Sequence, residues 1–213
     1  MTRIVLYDYW RSSAAYRVRI ALNLKQVDYA FHPVDLITNE QSSPTYKAVN
    51  PQGLVPVLEV DGEPIAQSLA IVDYLDSLVP EPRLIPADPL ARARTLARAM
   101  VVAAEIHPVN NLRVRRYLIH ELAQPPEALA AWQAHWIALG FDALEAEAPE
   151  DGFFGGETPD LSDVFLVPQV YNARRLPMEL DAWPRLVALD ARLSRLEAFA
   201  AASPDAQLSG SRS

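Results

Sequence analysis

The 213-residue chain contains no cysteine, which excludes disulfides, thiolate metal centres and any catalytic thiol of the protein's own. Thiol chemistry, if it occurs, must use a borrowed sulfur. No run of about 18 consecutive apolar residues is present, and the opening "MTRIVLYDYWR" has no long apolar segment after a basic start, as a signal peptide would. The expectation is a soluble cytoplasmic protein with no membrane partner. A formal charge of −8 withholds the broad basic footprint that nucleic acid requires. His32, His107, His120 and His135 fall at no ligand spacing and no HExxH motif accompanies them, so no metal is expected. No serine lies in GxSxG, and no glycine-rich loop follows the first strand-like run, which weakens hydrolase and nucleotide-binding readings. There is no internal repeat and no low-complexity segment.

What is present is ample apolar material: 50% of the residues are hydrophobic, enough for one large core or two small ones. "RIVLYDY" reads as a strand, and "SSAAYRVRIALNLK" as a helix with serine at the favoured N-cap. "VDYAFHPVDL" reads as a second strand, and "PTYKAVNPQG" as a loop or short helical turn. "LVPVLEVDGEPIAQS" carries two short strands about an Asp61-Gly62 hairpin signal, and "SLAIVDYLDSLVP" is a helix from Ser68 to the stop at Pro80. That order predicts an α/β layer with a mixed sheet over residues 1–80.

The proline-rich stretch 81–89 reads as a linker. Beyond it, residues 90–203 are rich in alanine, leucine and arginine and read as four or five helices, an all-α domain. Pro108 should interrupt the first of them. Asp160 and Asp163, before "VFLVP", form a carboxylate version of the capping box and should start a buried helix. Residues 204–213 are expected to be a flexible tail.

Charge is unevenly placed. Residues 1–25 hold Arg3, Arg11, Arg17, Arg19 and Lys25 against Asp8, and residues 105–120 hold Arg113, Arg115 and Arg116 against Glu105. Two basic islands on an acidic chain suggest a small anionic ligand, although solvated helix faces would also account for them. A helix N-terminus offers unpaired N–H groups and about half a positive charge, so Ser12 and Ser13 could hold an anion or lower the pKa of a bound thiol. Gln67 and Ser68 mark a second helix start. Both helix starts also read as plain caps. Between them, a cis bond before Pro56 could turn the Val55 backbone outward as a free sheet edge. Two helix starts and one edge suit a bound peptide, the termini for its carboxylates and the edge for its backbone.

Five separated blocks, "WRSSAAYRVRIALNLK", "NPQGLVPVLEVDGEPIAQSLAIVDYL", "IHPVNNLRVRRYL", "GFDALE" and "DLSDVFLVPQVYNARRL", together resemble the zeta-class glutathione transferases. That class includes maleylacetoacetate isomerases and bacterial maleylpyruvate isomerases. The resemblance spans nearly the whole chain. It implies a thioredoxin-like N-terminal domain, a helical C-terminal domain, a homodimer, and glutathione in an interdomain cleft. By the same resemblance Ser12 activates the glutathione thiol, with Ser13 beside it. Val55 and Pro56 pair with the glutathione backbone, Gln67 and Ser68 clamp its γ-glutamyl carboxylate, and Gln41, His107 and Asn111 make further contacts. Arg11 and Arg175 are implied as the grips on the substrate carboxylates. One departure is visible: Ala14 stands where the family usually has cysteine.

The activity the resemblance implies is cis–trans isomerisation of a maleyl dicarboxylate in aromatic catabolism. In it a thiolate adds to the double bond, rotation follows, and elimination returns glutathione unchanged. Two alternatives share the fold: a transferase that conjugates or dehalogenates small electrophiles such as α-haloacids, and a non-catalytic dimeric interaction module. Retention of both serines, Gln67, Ser68 and Arg175 disfavours the second, since a scaffold needs caps but not this chemistry.

Overall fold

The computed structural model describes residues 2–210, which fall into two compact units divided between Arg83 and Leu84. The first unit opens with β1 (Ile4–Asp8), α1 (Ser13–Leu24) and β2 (Ala30–Pro33). A 3₁₀ turn at Glu40–Ser42 and α2 (Pro44–Val49) follow, then β3 (Val57–Val60), β4 (Glu63–Ala66) and α3 (Ser68–Leu78). The four strands form one mixed sheet in the order β2-β1-β3-β4, with β1 parallel to β2 and antiparallel to β3. This is the α/β layer expected from the sequence.

The local reasons are those of the residues. β1 is apolar up to its last residue, Asp8, and almost wholly buried, as a strand paired on both sides should be. The β3–β4 turn places Asp61 at φ 50° and Gly62 at φ 92°, the pair of positive values that a two-residue hairpin loop demands. "PTYKAV" is a true helix, with Ser43 Oγ accepting from Tyr46 N and Pro44 at the first helical position. β2 is shorter than the apolar run suggested and exposed along its length, because it forms the edge of the sheet.

Of the basic island of residues 1–25, Arg17, Arg19 and Lys25 are buried and so are not part of a solvated helix face. Arg19, fully buried, pairs with Asp8 and donates to the carbonyls of Ala202 and Trp10. Lys25 donates to Asp76 at 2.6 Å and to the carbonyls of Val79 and Pro82 at 2.7 and 2.6 Å, tying the end of α1 to the end of α3. Arg11, two residues before α1, is exposed and stacked over the Trp10 ring at 5.3 Å.

The second unit holds α4 (Pro89–Met100), a π-helical turn (Val101–Ile106), α5 (Leu112–His120), α6 (Pro126–Glu147), α7 (Leu161–Ala173) and α8 (Pro184–Leu193). As expected, the helix breaks at Pro108: His107–Asn110 is a turn, and Asn111 caps α5 by accepting from Arg113 N. Both arms of the predicted capping box on α7 are present. Asp163 also accepts from the N–H groups of Phe154 and Gly155. Residues 81–88 are irregular, but Leu84 and Ile85 are buried, and Leu84 accepts from Leu161 N.

Chain order and unit membership differ at the C-terminus. From Arg195 onward the chain belongs to the first unit, and the expected tail is helical as far as it is described: α9 (Glu197–Ala202) is followed by α10 (Pro204–Gly210). Positions 211–213 of that tail lie outside the described residues. The attachment is polar as well as apolar: Tyr16, Arg19 and Asn23 on α1 donate to the carbonyls of Phe199, Ala202 and Ala198. Among the described residues no helix is long and apolar enough to cross a membrane, and no group of His, Asp or Glu is placed to hold a metal ion.

Candidate functional site

The start of α1 is shaped by Ser12. Its N–H donates to Tyr9 O at 2.7 Å, its backbone is extended, and its Oγ accepts from Ala15 N at 3.2 Å. A hydroxyl used only as acceptor retains its proton for donation. No acidic residue occupies the first turn of α1, so the positive end of the helix is not neutralised there. Ser13 is the first helical residue and is buried, as is Ala14. At the position of the missing cysteine there is therefore a small apolar side chain inside the unit.

The Val55–Pro56 peptide is cis, as anticipated. The ladder between β3 and β4 begins at Val57, so the Val55 backbone stands outside it. Its position is fixed from behind: Tyr46 Oη and Asn50 Nδ2 both donate to Leu54 O, at 2.7 and 2.8 Å. The Val55 side chain packs on the cluster of Val34, Tyr46 and Val57. Burial pushes the Tyr46 phenol up, so it remains a hydrogen-bond donor throughout the physiological range.

Gln41 reaches the same loop. Gly53, at φ 62°, is close to the Gln41 carbonyl: a Cβ at Gly53 would sit 2.9 Å from that oxygen. Only glycine suits both the left-handed backbone and the approach. The Gln41 side chain is buried, its Nε2 donating to Asn39 Oδ1 at 2.8 Å, while its Oε1 has no partner among the described residues. A buried acceptor without a donor is costly unless a ligand or water supplies one.

At the start of α3, Gln67 has φ 74° and donates from Nε2 to Gln52 Oε1 at 2.8 Å. Ser68 is buried, and its Oγ accepts from Arg17 Nη1 at 3.2 Å. Gln52 and Arg17 were not recognised in the sequence as parts of this arrangement. The signal for Gln52 is its place beside Gly53 in the loop; that for Arg17 is its spacing of four from Ser13. Ser12, Ser13, Gln41, Val55, Pro56, Gln67 and Ser68 thus all belong to the first unit, as does exposed Arg11.

His107, Asn111 and Arg175 belong to the second unit. His107 closes the π-helical turn, its N–H donating to Val102 O at 2.9 Å. The last residue of the turn meets α6 closely: a Cβ at Gly140 would lie 2.3 Å from Ile106 Cδ1, so α6 receives Ile106 at a position with no side chain. Asn111 follows as the α5 cap. Arg175 is exposed just beyond the end of α7, its N–H donating to Asn172 O.

Known proteins are similar to this one along most of the chain. Residues 6–83 match the glutathione S-transferase N-terminal domain, and residues 126–202 match the glutathione S-transferase C-terminal domain. Maleylacetoacetate isomerase of Rhizobium meliloti is 47% identical over 204 residues, 94% of this chain and 96% of the relative. Among the solved relatives, maleylacetoacetate isomerase of Anaeromyxobacter dehalogenans, with dicarboxyethyl glutathione and citrate in its active site, superposes with a TM-score of 0.84 at 40% identity. That match covers 96% of this chain and 92% of the other. A holo maleylpyruvate isomerase, a bacterial enzyme of the zeta class, superposes with a TM-score of 0.91 at 43% identity, covering 94% and 96%. The mixed sheet with its helices is thus the thioredoxin-like part of the glutathione transferase fold, and the second unit its helical part. Domain matches, identity and near-complete coverage agree, and the chain belongs to the zeta-class glutathione transferases, the family of the maleylacetoacetate and maleylpyruvate isomerases.

Proposed function

We propose that this protein is a glutathione-dependent isomerase that converts a maleyl dicarboxylate, maleylacetoacetate or maleylpyruvate, to its fumaryl isomer. The observation that carries the reading is the start of α1: in a chain without cysteine, Ser12 keeps a donatable proton at an unneutralised helix N-terminus. Bound glutathione supplies the nucleophilic thiolate whose reversible addition gives the maleyl double bond single-bond character and so permits rotation.

The residues present fit that tripeptide. Val55 offers backbone groups outside the ladder, Gln41 Oε1 is a buried acceptor awaiting a donor, and Ser68 Oγ accepts from Arg17, which leaves its own proton for a carboxylate. Ser12 and the α1 N–H groups favour the anionic form of the thiol, with Ser13 beside them. Pro56 sets the chain direction at Val55, and Gln67, braced by Gln52, stands next to Ser68. His107 and Asn111 are further contacts to the tripeptide. Arg11 and Arg175, both exposed, take the substrate carboxylates and oppose the negative charge that develops on the acid. The protein works as a cytoplasmic homodimer in aromatic catabolism.

The test is an absorbance assay of maleylacetoacetate and maleylpyruvate with catalytic glutathione. Turnover of either with the tripeptide's thiol concentration unchanged is the expected result. Stoichiometric loss of thiol would replace this reading with conjugation or dehalogenation, and absence of glutathione binding by calorimetry would leave a non-catalytic module.

A further inference from the structure

At the end of α1 opposite Ser12, about 18 Å along the helix, the chain turns through a left-handed residue, Gln26, at φ 52°. The N–H groups of Gln26 and Val27 donate back to Asn23 O and Leu22 O, at 3.1 and 3.0 Å. This is a Schellman-type ending, which satisfies the last carbonyls and sends the chain sideways off the helix. α9, held to α1 by Asn23 Nδ2 donating to Ala198 O at 2.9 Å, leaves the corner open. Between the end of α1, Tyr29 and α9 lies a hollow of about 750 Å³, lined wholly by residues of the first unit. Sites for small organic ligands occupy about 300–1,000 Å³. None of the residues assigned above to glutathione or its substrate lines this one.

The lining is one-sided in charge. Leu22, Val27, Leu196 and Ala198 give it apolar walls, and Asp28 and Glu197, both exposed, add two carboxylates. Among the described residues that line it there is no lysine or arginine. Lys25 turns away to Asp76 and the carbonyls of Val79 and Pro82, Arg19 is taken by Asp8, and Arg195, next to Leu196, stands outside the lining. The carbonyl end of α1 contributes about half a negative charge. α9 begins here with the opposite polarity, but its first residue is Glu197, whose carboxylate offsets that end. Asn23 gives its amide N–H to Ala198 O, so its Oδ1 remains as an acceptor. Half-buried Tyr29 adds an aromatic ring, and burial pushes its phenol up, so the hydroxyl keeps its proton.

We infer that this hollow binds a primary ammonium ion carrying a small apolar body, the ammonium held by the carboxylates of Asp28 and Glu197 and the body against Leu22, Val27 and Tyr29. An ammonium is also attracted to the face of an aromatic ring. Both carboxylates are solvated, so each contributes modestly, and the site selects by sign of charge more than by strength. It is independent of glutathione.

The experiment titrates isotope-labelled full-length protein at neutral pH with phenethylammonium, and with phenethyl alcohol and hydrocinnamate as its neutral and anionic counterparts, following backbone amide shifts by NMR. Saturable shifts confined to residues 22–29 and 196–201 are expected with the ammonium, which should bind about fivefold or more tighter than the alcohol. Hydrocinnamate should not bind. Asp28→Asn/Glu197→Gln should weaken the ammonium by about fivefold and leave the alcohol within about twofold. Glu157→Gln removes an exposed carboxylate of the second unit and should change neither, which separates a local contact from the net charge. Ala201→Trp fills the hollow and should abolish binding. If Ala201→Trp does not fold, the carboxamide substitutions, at exposed positions, still decide. Absence of saturable shifts with phenethylammonium, shifts centred elsewhere, equal affinity for the ammonium and the alcohol, or an unchanged Kd in Asp28→Asn/Glu197→Gln overturns the inference, as does wild-type affinity in folded Ala201→Trp.

Discussion

Ser12→Ala separates the two tasks of one hydroxyl. As N-cap, Ser12 accepts a single bond from Ala15 N at 3.2 Å, toward the long end of the N–H···O range. Its loss should cost about 1 kcal/mol of stability. A domain of ordinary stability, about 5–15 kcal/mol, remains folded after that loss, so the variant's concentration of native protein is unchanged. As donor to the tripeptide's thiolate, the same hydroxyl acts where charge is concentrated, and removal of such a donor typically costs about 10²–10³ in rate, or roughly 2.7–4 kcal/mol. The catalytic effect should therefore exceed the effect on stability by at least about 1.5 kcal/mol, roughly tenfold in rate. Ser12→Asp sharpens the contrast, because aspartate caps as well as serine yet places a negative charge beside the thiolate. It should match wild type in urea midpoint and fall below Ser12→Ala in kcat/KM. Urea unfolding and steady-state turnover at saturating glutathione measure the two quantities independently. Ser12→Ala turnover within threefold of wild type, or a fully active Ser12→Asp, would refute the assignment of Ser12 to the sulfur.

Other substitutions probe the frame and the substrate grip. Lys25→Met leaves buried Asp76 and the carbonyls of Val79 and Pro82 without their cation. We expect a loss of about 3–5 kcal/mol, largely recovered in Lys25→Met/Asp76→Leu, and a urea-derived loss below about 1 kcal/mol would contradict the buried clamp. Gly140→Ala brings a methyl to 2.3 and 2.5 Å from Ile106 Cδ1 and Cγ1; overpacking of about 1–3 kcal/mol should outweigh the helix-propensity gain of about 1 kcal/mol, so a raised Tm would show that the contact is misplaced. Asp163→Ala strands the N–H groups of Phe154, Gly155 and Asp160 and should accelerate their hydrogen exchange, with protection unchanged as the contrary result. Arg175→Met should raise KM for the dicarboxylate about tenfold or more, as expected for a lost charge-assisted hydrogen bond, without altering the glutathione Kd. An unchanged KM would remove Arg175 from the substrate.

The parts of the fold legible in the sequence are those that local chemistry determines. Asp61-Gly62 announces a hairpin because few pairs accept two positive φ values, and Asp160 with Asp163 announces a helix because each carboxylate finds the other's backbone N–H. Pro108 interrupts its helix for lack of a donor. What the sequence conceals is long-range pairing. Arg17, Arg19 and Lys25 look like a basic surface until Ser68, Asp8 and Asp76 are brought to them from 51, 11 and 51 positions away. Likewise "SPDAQLSG" has the composition of a frayed end, yet Pro204 follows Ser203, whose Oγ accepts from Ala206 N and begins a final helix. At the candidate site the serines, the cis proline and Gln67 were readable, each from its own neighbourhood. The brace from Gln52 and the buried guanidinium were not, since both depend on chain crossings.

The return of residues 195–210 to the first unit bears on how the molecule is made. Tyr16, Arg19 and Asn23 find carbonyl partners in α9, so during synthesis these three bonds of the first unit form only after residue 202 has left the ribosome, whereas the pair of Arg19 with Asp8 needs no more than the first 19 residues. The helical unit, which begins second, thus has all its own residues synthesised before the first unit does.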